Sequence, residues 1–489
     1  MFPMGSKNFK PFPKDVIYNI YAKCDPETYT YITSNPFDPP DSHKQNKTPS
    51  NCTITIISPK STYESTGTIH IIGYGSRLYK KLTFGMKFDK KFLGRKSVKL
   101  RALASDPTLI RENLSIGLYK SVGVPVQEGS YARLFINGDT YGLYTIIDSF
   151  SKKWIAGYVH GDAKANIGIA YKIYANVPNY PTFRYVGDNY EDYSTFFVPN
   201  EYEDSDVDAN VESSKYNHII EFTKLFDKWV NTPGQPVEEL QKFFNIEALL
   251  RLMVIDTLIL AIDNFYLYLS NAALYYNPER KNYLILPYDF DTVLVGASND
   301  PMIDKVTYIA DCHTWVYQHE ETIDHYLTKS LLANPEIKKR YDVILAKTSM
   351  ELFNTKVLSN YVHSVADLIR DDVAWNFEKS TNLGISYDGI VNYYTMEHFE
   401  GNLEKTHVVY NKGVINNEAQ FGILEWVDLR SNSCIKDTAN VDITKNDNIS
   451  DNLEVTVYMD EESSSSVSIK TTLGVVMIVQ ILLFTLTLF

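Results

Sequence analysis

The run from Val237 to Asp263, VEELQKFFNIEALLRLMVIDTLILAID, sets the strongest limit on what this chain can fold into. It begins amphipathic and becomes apolar all round. A helix without a polar face has to lie inside the protein, with other elements packed on every side. Asp256 interrupts the apolar part, which is short, so the run is a poor membrane span. It delivers Asp263, and Asn271 follows. The apolar strand YLIL then runs straight into Pro287-Tyr288-Asp289-Phe290-Asp291. Carboxylates and a carboxamide at the ends of buried elements suit hard cations such as Mg²⁺ and Mn²⁺, which want firmly held oxygen ligands. Burying that much acid with no cation to neutralise it is costly.

Each residue of this stretch has a chemical role available and a plainer one beside it. Asp289 and Asp291 follow a buried strand at alternate positions, so both side chains are expected on one face, where a metal offsets their repulsion. Asp263 ends the buried helix before an aromatic run. It is the candidate general base, orienting a hydroxyl for in-line attack on a γ-phosphate; the plainer role is a cap on local backbone. Asn271 offers a neutral metal ligand or is a turn residue. Phosphate oxygens need cations from the opposite wall, and Lys81, Lys87, Arg101 and Arg111 stand in the β-rich half. Glu112 is placed to pair with such a cation, although each basic residue alone reads equally as a solvated surface charge. Gly73-Tyr74-Gly75-Ser76 is either a phosphate-covering loop or an ordinary turn.

From about Asp15 to Asp148 the pattern is β-rich. CTITIISP, GTIHIIGYG, LTFGMKFD, SVKLRAL, YARLFINGD and YGLYTIID read as strands, and Asn137-Gly138-Asp139 predicts a hairpin between the last two. One helix interrupts them over Pro107 to Tyr119, with Ser105 or Asp106 as its cap. The expected divisions are an N-terminal segment over 1–50, a β-rich lobe over 51–186 and an acidic, Tyr-rich linker over 187–214. A helical lobe over 215–435 carries the metal site. A polar stalk over 436–472 and a hydrophobic tail over 473–489 follow.

Composition narrows the partners. A net charge of −13 leaves no basic stripe to meet nucleic acid. Four widely spaced cysteines, none at zinc-ligand spacing, allow two disulfides, with Cys24 and Cys52 able to close one loop; free buried thiols are the alternative. Sequons occur at Asn46, Asn51, Asn113 and Asn448. Leu473 to Phe489 is an apolar run of roughly 25 Å as a helix. Ahead of it lie Ser463 to Ser466 and a polar spacer, the pattern of a GPI-attachment signal, with a tail-anchored helix as the alternative. The opening MFPMGSKNFKPFPKDV has no apolar core of a signal peptide, so a GPI signal implies a leader upstream of Met1.

The ordered set IHIIGYGS, KKLTFGMKFD, KLRALASDPTLIREN, YARLFINGDTYGLYTIID, IDNFYLYLSNAALYYNP, LPYDFDTVLVG and GILEWVDLRS resembles the spore coat protein H (CotH) kinase family, in particular its fungal cell-surface branch. The resemblance runs from about Cys52 to Cys434. It implies an α+β, atypical protein-kinase-like two-lobed fold: a β-rich N-lobe, a helical C-lobe, and ATP with Mg²⁺ or Mn²⁺ between them. By the same resemblance Asp263 matches the family's catalytic-segment Asp and Asn271 its SN asparagine. Asp289 and Asp291 match the metal-binding Asp pair, and Lys81 lies nearest the family's lysine, with Lys80 adjacent. Tyr288, Gly73 and Asp148 depart from the residues commoner in the family at their positions.

The expected activity is therefore ATP-dependent phosphorylation of Ser or Thr on secreted, coat or cell-surface proteins. Asp263 would be the base, and Lys81, with Lys87, Arg101 and Glu112, would form the nucleotide side. Asn271, Asp289 and Asp291 would hold the metal. The rival expectation is a non-enzymatic surface adhesin that meets a host-cell receptor through Tyr-rich loops. In either case the C-terminal tail would attach the chain to a membrane.

Overall fold

A computed structural model describes residues 9–40, 42–176, 178–204, 207–294, 311–319, 322–405 and 421–444. Alternation in the first part produces strands β1 (Ile17–Cys24), β2 (Ser50–Ser58), β3 (Ser61–Ile71), β4 (Phe84–Phe92), β5 (Arg95–Arg101), β6 (Gly129–Ile136) and β7 (Asp139–Asp148). They form a closed barrel in the order β1-β2-β3-β4-β5-β7-β6. The inward positions, among them Ile20, Ile54, Ile69, Phe84, Met86, Leu100, Leu134 and Ile146, make one apolar interior. The hairpin between β6 and β7 turns at Asn137 (φ 51°) and Gly138 (φ 93°), the pair of positive dihedrals that an Asn-Gly turn favours.

This barrel corrects the expected architecture. The N-terminal region is not the open-sheeted lobe of a two-lobed protein-kinase-like fold but a closed seven-stranded barrel followed by helices. The strand responsible is β1. It pairs antiparallel with β2, from Asn19 opposite Ile57 to Cys24 opposite Cys52, and parallel with β6, from Ile17 opposite Tyr131 to Ala22 opposite Ile136. Sequence reading begins its strands at Cys52 and leaves Ile17–Cys24 in the N-terminal segment. Alternation identifies strands but does not say whether the first and last of them pair. Closure also removes the free sheet edges that an open sheet has to protect.

A second sheet follows, built from β8 (Ile169–Ile173), β9 (Phe197–Tyr202), β10 (Ala272–Asn277) and β11 (Asn282–Pro287) in the order β11-β10-β8-β9. One face packs on the main helical core through Ile169, Tyr171, Leu274 and Ile285. The other packs through Ala170, Ala273, Tyr275 and Leu286 on Trp154 and Ile155 of the helix Lys152–Tyr158. Within the acidic stretch 187–214, Glu191–Ser194 is helical and Phe197–Tyr202 supplies β9.

The all-apolar run forms the helix Ile246–Ile259, and every one of its residues is buried. Long helices Pro335–Glu351 and Thr355–Thr381 and the last described helix, Ile423–Asp437, complete the helical part. All four cysteines are paired. Cys24–Cys52 joins β1 to β2, and Cys312–Cys434 ties the segment 311–319 to the last helix. Among the described residues no helix is long and apolar enough to cross a membrane; the tail over 473–489 lies outside them.

Asp256, the interruption noticed in the sequence, has a structural job. Its carboxylate accepts from the Tyr119 hydroxyl and, at 2.9 Å, from the Tyr266 backbone N–H. It thereby ties the helix Arg111–Ser121 and the turn after Asp263 to the central helix. Burial pushes its pKa up to about 7, although both hydrogen bonds pull it down. The native state thus holds a proton that the unfolded chain has lost between the ordinary aspartate range and about pH 7, so stability falls as pH rises through that window. Asp256→Asn keeps the shape without the charge. Its stability relative to wild type is expected to improve from pH 5 to pH 8 by about 3 kcal/mol, since about two pKa units of the window lie in that range and each corresponds to about 1.4 kcal/mol. Urea unfolding at the two pH values measures this; a difference that does not move with pH means that Asp256 ionises normally.

Candidate functional site

Leu260 takes a left-handed conformation (φ 49°) and ends the central helix at Ile259, so Asp263 lies in the turn beyond it rather than at the helix end. The chain then makes the short helix Phe265–Tyr268, passes Asn271 (φ 47°) and enters β10. After β11 it turns again at Asp289 (φ 65°). Asn and Asp tolerate this left-handed region better than other residues with a side chain.

Hydrogen bonds lock the two turns together. Asn271 Nδ2 donates to the Asp263 carbonyl at 2.8 Å and to its carboxylate at 2.9 Å. The Asn271 carbonyl accepts from Tyr288 N at 2.9 Å. Buried Asn264 donates Nδ2 to the carbonyls of Tyr288 and Asp289, each at 3.1 Å. Asp263, Asn271 and Asp289 are therefore held on one connected backbone frame.

Arg101, at the end of β5 on the outside of the barrel, meets that frame. Its guanidinium pairs with Glu112 Oε1 at 3.1 Å, with Asp289, and with Asp291 Oδ2 at 3.4 Å. Asp289 and Asp291 converge on it although the strand stops at Pro287. Their common direction comes from the turn at Asp289, not from strand alternation. Phe290 between them packs on Tyr119, ring centroids 4.7 Å apart, which fixes the acid loop against the helix that carries Glu112.

The charges are unequal. Burial raises the Asp289 pKa, but Arg101 and Lys99 outweigh it and hold the carboxyl below its usual range. Asp291, whose side chain is 41% exposed, is raised by the partial desolvation of its surroundings and by the neighbouring Asp289 charge. Glu112 is pushed up to about 7 by burial, against the pull of Arg101. Burial would lower Arg101, yet Asp289, Glu112 and Asp291 together raise it. Arg101 thus bonds three acids at once.

Two lysines that sequence reading passed over complete the surroundings. Lys99 on β5 and Lys172 on β8 each place Nζ 5.7 Å from the centre of the Tyr288 ring. Neither makes a hydrogen bond or an ion pair among the described residues. Burial lowers both, Lys172 to about 8, while Asp289 acts in the other direction. Lys99 was legible: it stands two residues before Arg101 on one strand, hence on the same face. Lys172 and Asn264 carry no sequence signal beyond a polar residue in an apolar stretch.

The remaining predicted residues lie elsewhere. Lys81 Nζ donates to the carbonyls of Ala102 (2.8 Å) and Leu143 (2.6 Å) and to Asn376 Oδ1 (2.7 Å), and sits 4.6 Å from the centre of the Tyr144 ring. Burial alone lowers its pKa to about 7, with no carboxylate acting on it. Lys87 points to solvent from β4. Arg111 is buried against Asp106, whose carboxylate also accepts from Arg111 N at 2.9 Å and so starts the helix Arg111–Ser121. In the Gly73-Tyr74-Gly75-Ser76 loop, Arg77 donates to the Gly73 carbonyl at 2.7 Å and to those of Pro36 and Asn46, which makes this an internally tied turn.

Among the described residues no three His, Cys, Asp or Glu side chains converge closely enough to hold a metal by themselves. Two carboxylates around one cation are nonetheless the donor set that Mg²⁺ takes when phosphate oxygens and waters supply the rest. Asp289 and Asp291 are the residues that could hold a metal whose remaining ligands come from elsewhere.

Comparison with known proteins agrees with the sequence resemblance. The chain is 24% identical over 352 residues to Invasin CotH2 of Rhizopus delemar, covering 70% of this chain and 54% of that protein. It is 27% identical over 333 residues to Spore coat protein homolog 1 of the same organism, covering 67% and 50%. Against Inner spore coat protein H of Bacillus subtilis the identity is 22% over 312 residues, covering 63% and 77%. The chain thus spans about half the length of the Rhizopus relatives. A family model described as CotH kinase protein matches residues 69–428, most of the sequence, and the chain belongs to that family.

Proposed function

We propose that this protein transfers the γ-phosphate of ATP to Ser or Thr hydroxyls of secreted, coat or surface proteins, on the barrel-and-helix scaffold described above. The observation that carries this reading is the charge arrangement: Asp289 and Asp291 around Arg101, flanked by Lys99 and Lys172, which have no partner acid bonded to them. Carboxylates beside unpaired lysines suit a ligand that brings a divalent cation and a polyphosphate together. Neither alone would satisfy both sets of side chains.

Asp289 and Asp291, with Asn271, would hold Mg²⁺ or Mn²⁺, which when bound neutralises charge on the phosphate oxygens. Lys99 and Lys172 are the phosphate cations in place of Lys81, and Glu112 positions Arg101. Asp263, oriented by the Asn271 amide, accepts the proton of the acceptor hydroxyl. The names of the relatives, invasin and spore coat protein, support a surface or coat location, with the tail over 473–489 as the membrane attachment. They also favour a second reading, recognition of a host-cell receptor. Among the described residues the exposed tyrosines Tyr21, Tyr31, Tyr74, Tyr174 and Tyr393 give that reading physical content.

Two experiments separate these roles. In a γ-³²P transfer assay, Asp263→Asn and Asp289→Asn are both expected to lose activity by at least about 10²-fold, the usual scale for an acid–base residue. Their thermal shifts should differ: Asp263→Asn keeps the stabilisation by ATP with Mn²⁺, whereas Asp289→Asn loses it. A wild type that Mn²⁺ with ATP does not stabilise leaves only the recognition role. Lys81→Met tests the reassignment of the lysine. It should lower stability by about 1–3 kcal/mol, the scale for leaving buried carbonyls without a donor. It should also retain transfer at permissive temperature, whereas Lys99→Ala should raise the KM for ATP. Transfer abolished in a folded Lys81→Met protein would restore Lys81 to the site.

A further inference from the structure

Of the sequons within the described residues, two are closed by the fold. Asn46 is 4% exposed. Its Nδ2 donates to the Asn35 carbonyl at 2.8 Å, and its Oδ1 accepts from Thr48 N at 3.0 Å. A sugar on that nitrogen has no room. Asn113 lies within the helix Arg111–Ser121, half-buried. Its side chain bonds to the buried Tyr131 hydroxyl, and Tyr361 donates to its carbonyl at 3.4 Å. Asn448 lies outside the described residues.

Asn51 is different. On β2 the residues alternate, with Ser50, Cys52 and Ile54 buried and Asn51 and Thr53 exposed, so the acceptor amide and the hydroxyl two residues on share the outer face of the barrel. The Asn51 side chain makes no hydrogen bond among the described residues. The Asn51 backbone is held in the barrel, opposite Thr68 of β3, and its carbonyl accepts from Asp25 N at 2.9 Å. Both cysteine pairs are closed, the condition of an oxidising compartment. We propose that Asn51 is an N-glycosylation site.

The chemistry is a group transfer without redox change. Asn51 Nδ2 bonds to C1 of an oligosaccharide carried on a lipid pyrophosphate. The C1–O bond to the pyrophosphate breaks, the lipid pyrophosphate leaves, and the amide gives up one proton. Topology says what the glycan spares. In the barrel order, β3 and β4 separate β2 from β5 on one side, and β1, β6 and β7 separate them on the other. Asn51 therefore stands across the barrel from Lys99 and Arg101, and a glycan there leaves the acid site open.

The test is site-resolved glycan mapping of the full chain secreted from yeast behind a secretory leader, before and after peptide-N-glycosidase F. Asn51 is expected to be occupied and to become Asp on digestion. Asn51→Gln and Thr53→Ala should each lose that glycan while keeping the wild-type melting temperature, since both side chains are exposed. An unmodified Asn51 in the folded wild type, or its continued modification in Thr53→Ala, overturns the proposal. So does a glycan on Asn46 or Asn113 in the folded pool, because it would show that burial does not select the acceptor.

Discussion

Arg101 is the interaction on which the site depends. It belongs to the barrel, yet its guanidinium is bonded to Glu112 on a helix and to Asp289 and Asp291 on the loop after the second sheet. Arg101 and Glu112 are buried and each would be costly to bury alone, while Asp289 is half-buried and Asp291 exposed. The arrangement therefore joins three parts of the chain and leaves Asp291 with a raised pKa, so its full ionisation calls for more positive charge. In the proposed function the divalent cation would supply that charge, and the polyphosphate it carries would offer anions to Lys99 and Lys172.

The rest of the fold holds that junction in place. The central helix is largely apolar because it is enclosed on every side; of its two acids, Glu247 is paired with Arg251 and Arg340, and Asp256 is bonded to Tyr119 and the Tyr266 N–H. Through Tyr119 it fixes the helix bearing Glu112, and through Tyr266 the turn bearing Asp263. Tyr119 also stacks on Phe290, between the two metal-side acids. The acid cluster around Arg101 thus rests on a buried network behind it.

Local elements were legible in the sequence, and closure was not. The Asn137-Gly138 hairpin and the enclosed helix follow from turn chemistry and from apolar pattern. The barrel depends on β1 meeting β6, a pairing between residues more than 100 positions apart that no local pattern encodes. The three acids and the carboxamide of the site are legible because Asp263, Asn271, Asp289 and Asp291 stand beside strongly apolar runs. The cations were harder, since a lysine in a β-rich stretch looks the same whether it is tied up by buried carbonyls, as Lys81 is, or stands beside acids, as Lys99 does. Only the tertiary structure separates them.

The most direct measurement is a crystal structure with Mn²⁺ and a non-hydrolysable ATP analogue, using anomalous scattering to locate the metal. Manganese is expected at roughly 2.2 Å from carboxylate oxygens of Asp289 and Asp291, a distance typical of small divalent ions on oxygen ligands, with the phosphates against Lys99 and Lys172. Metal and nucleotide bound away from these four side chains, or an intact Arg101 cluster that excludes both, would contradict the socket described above.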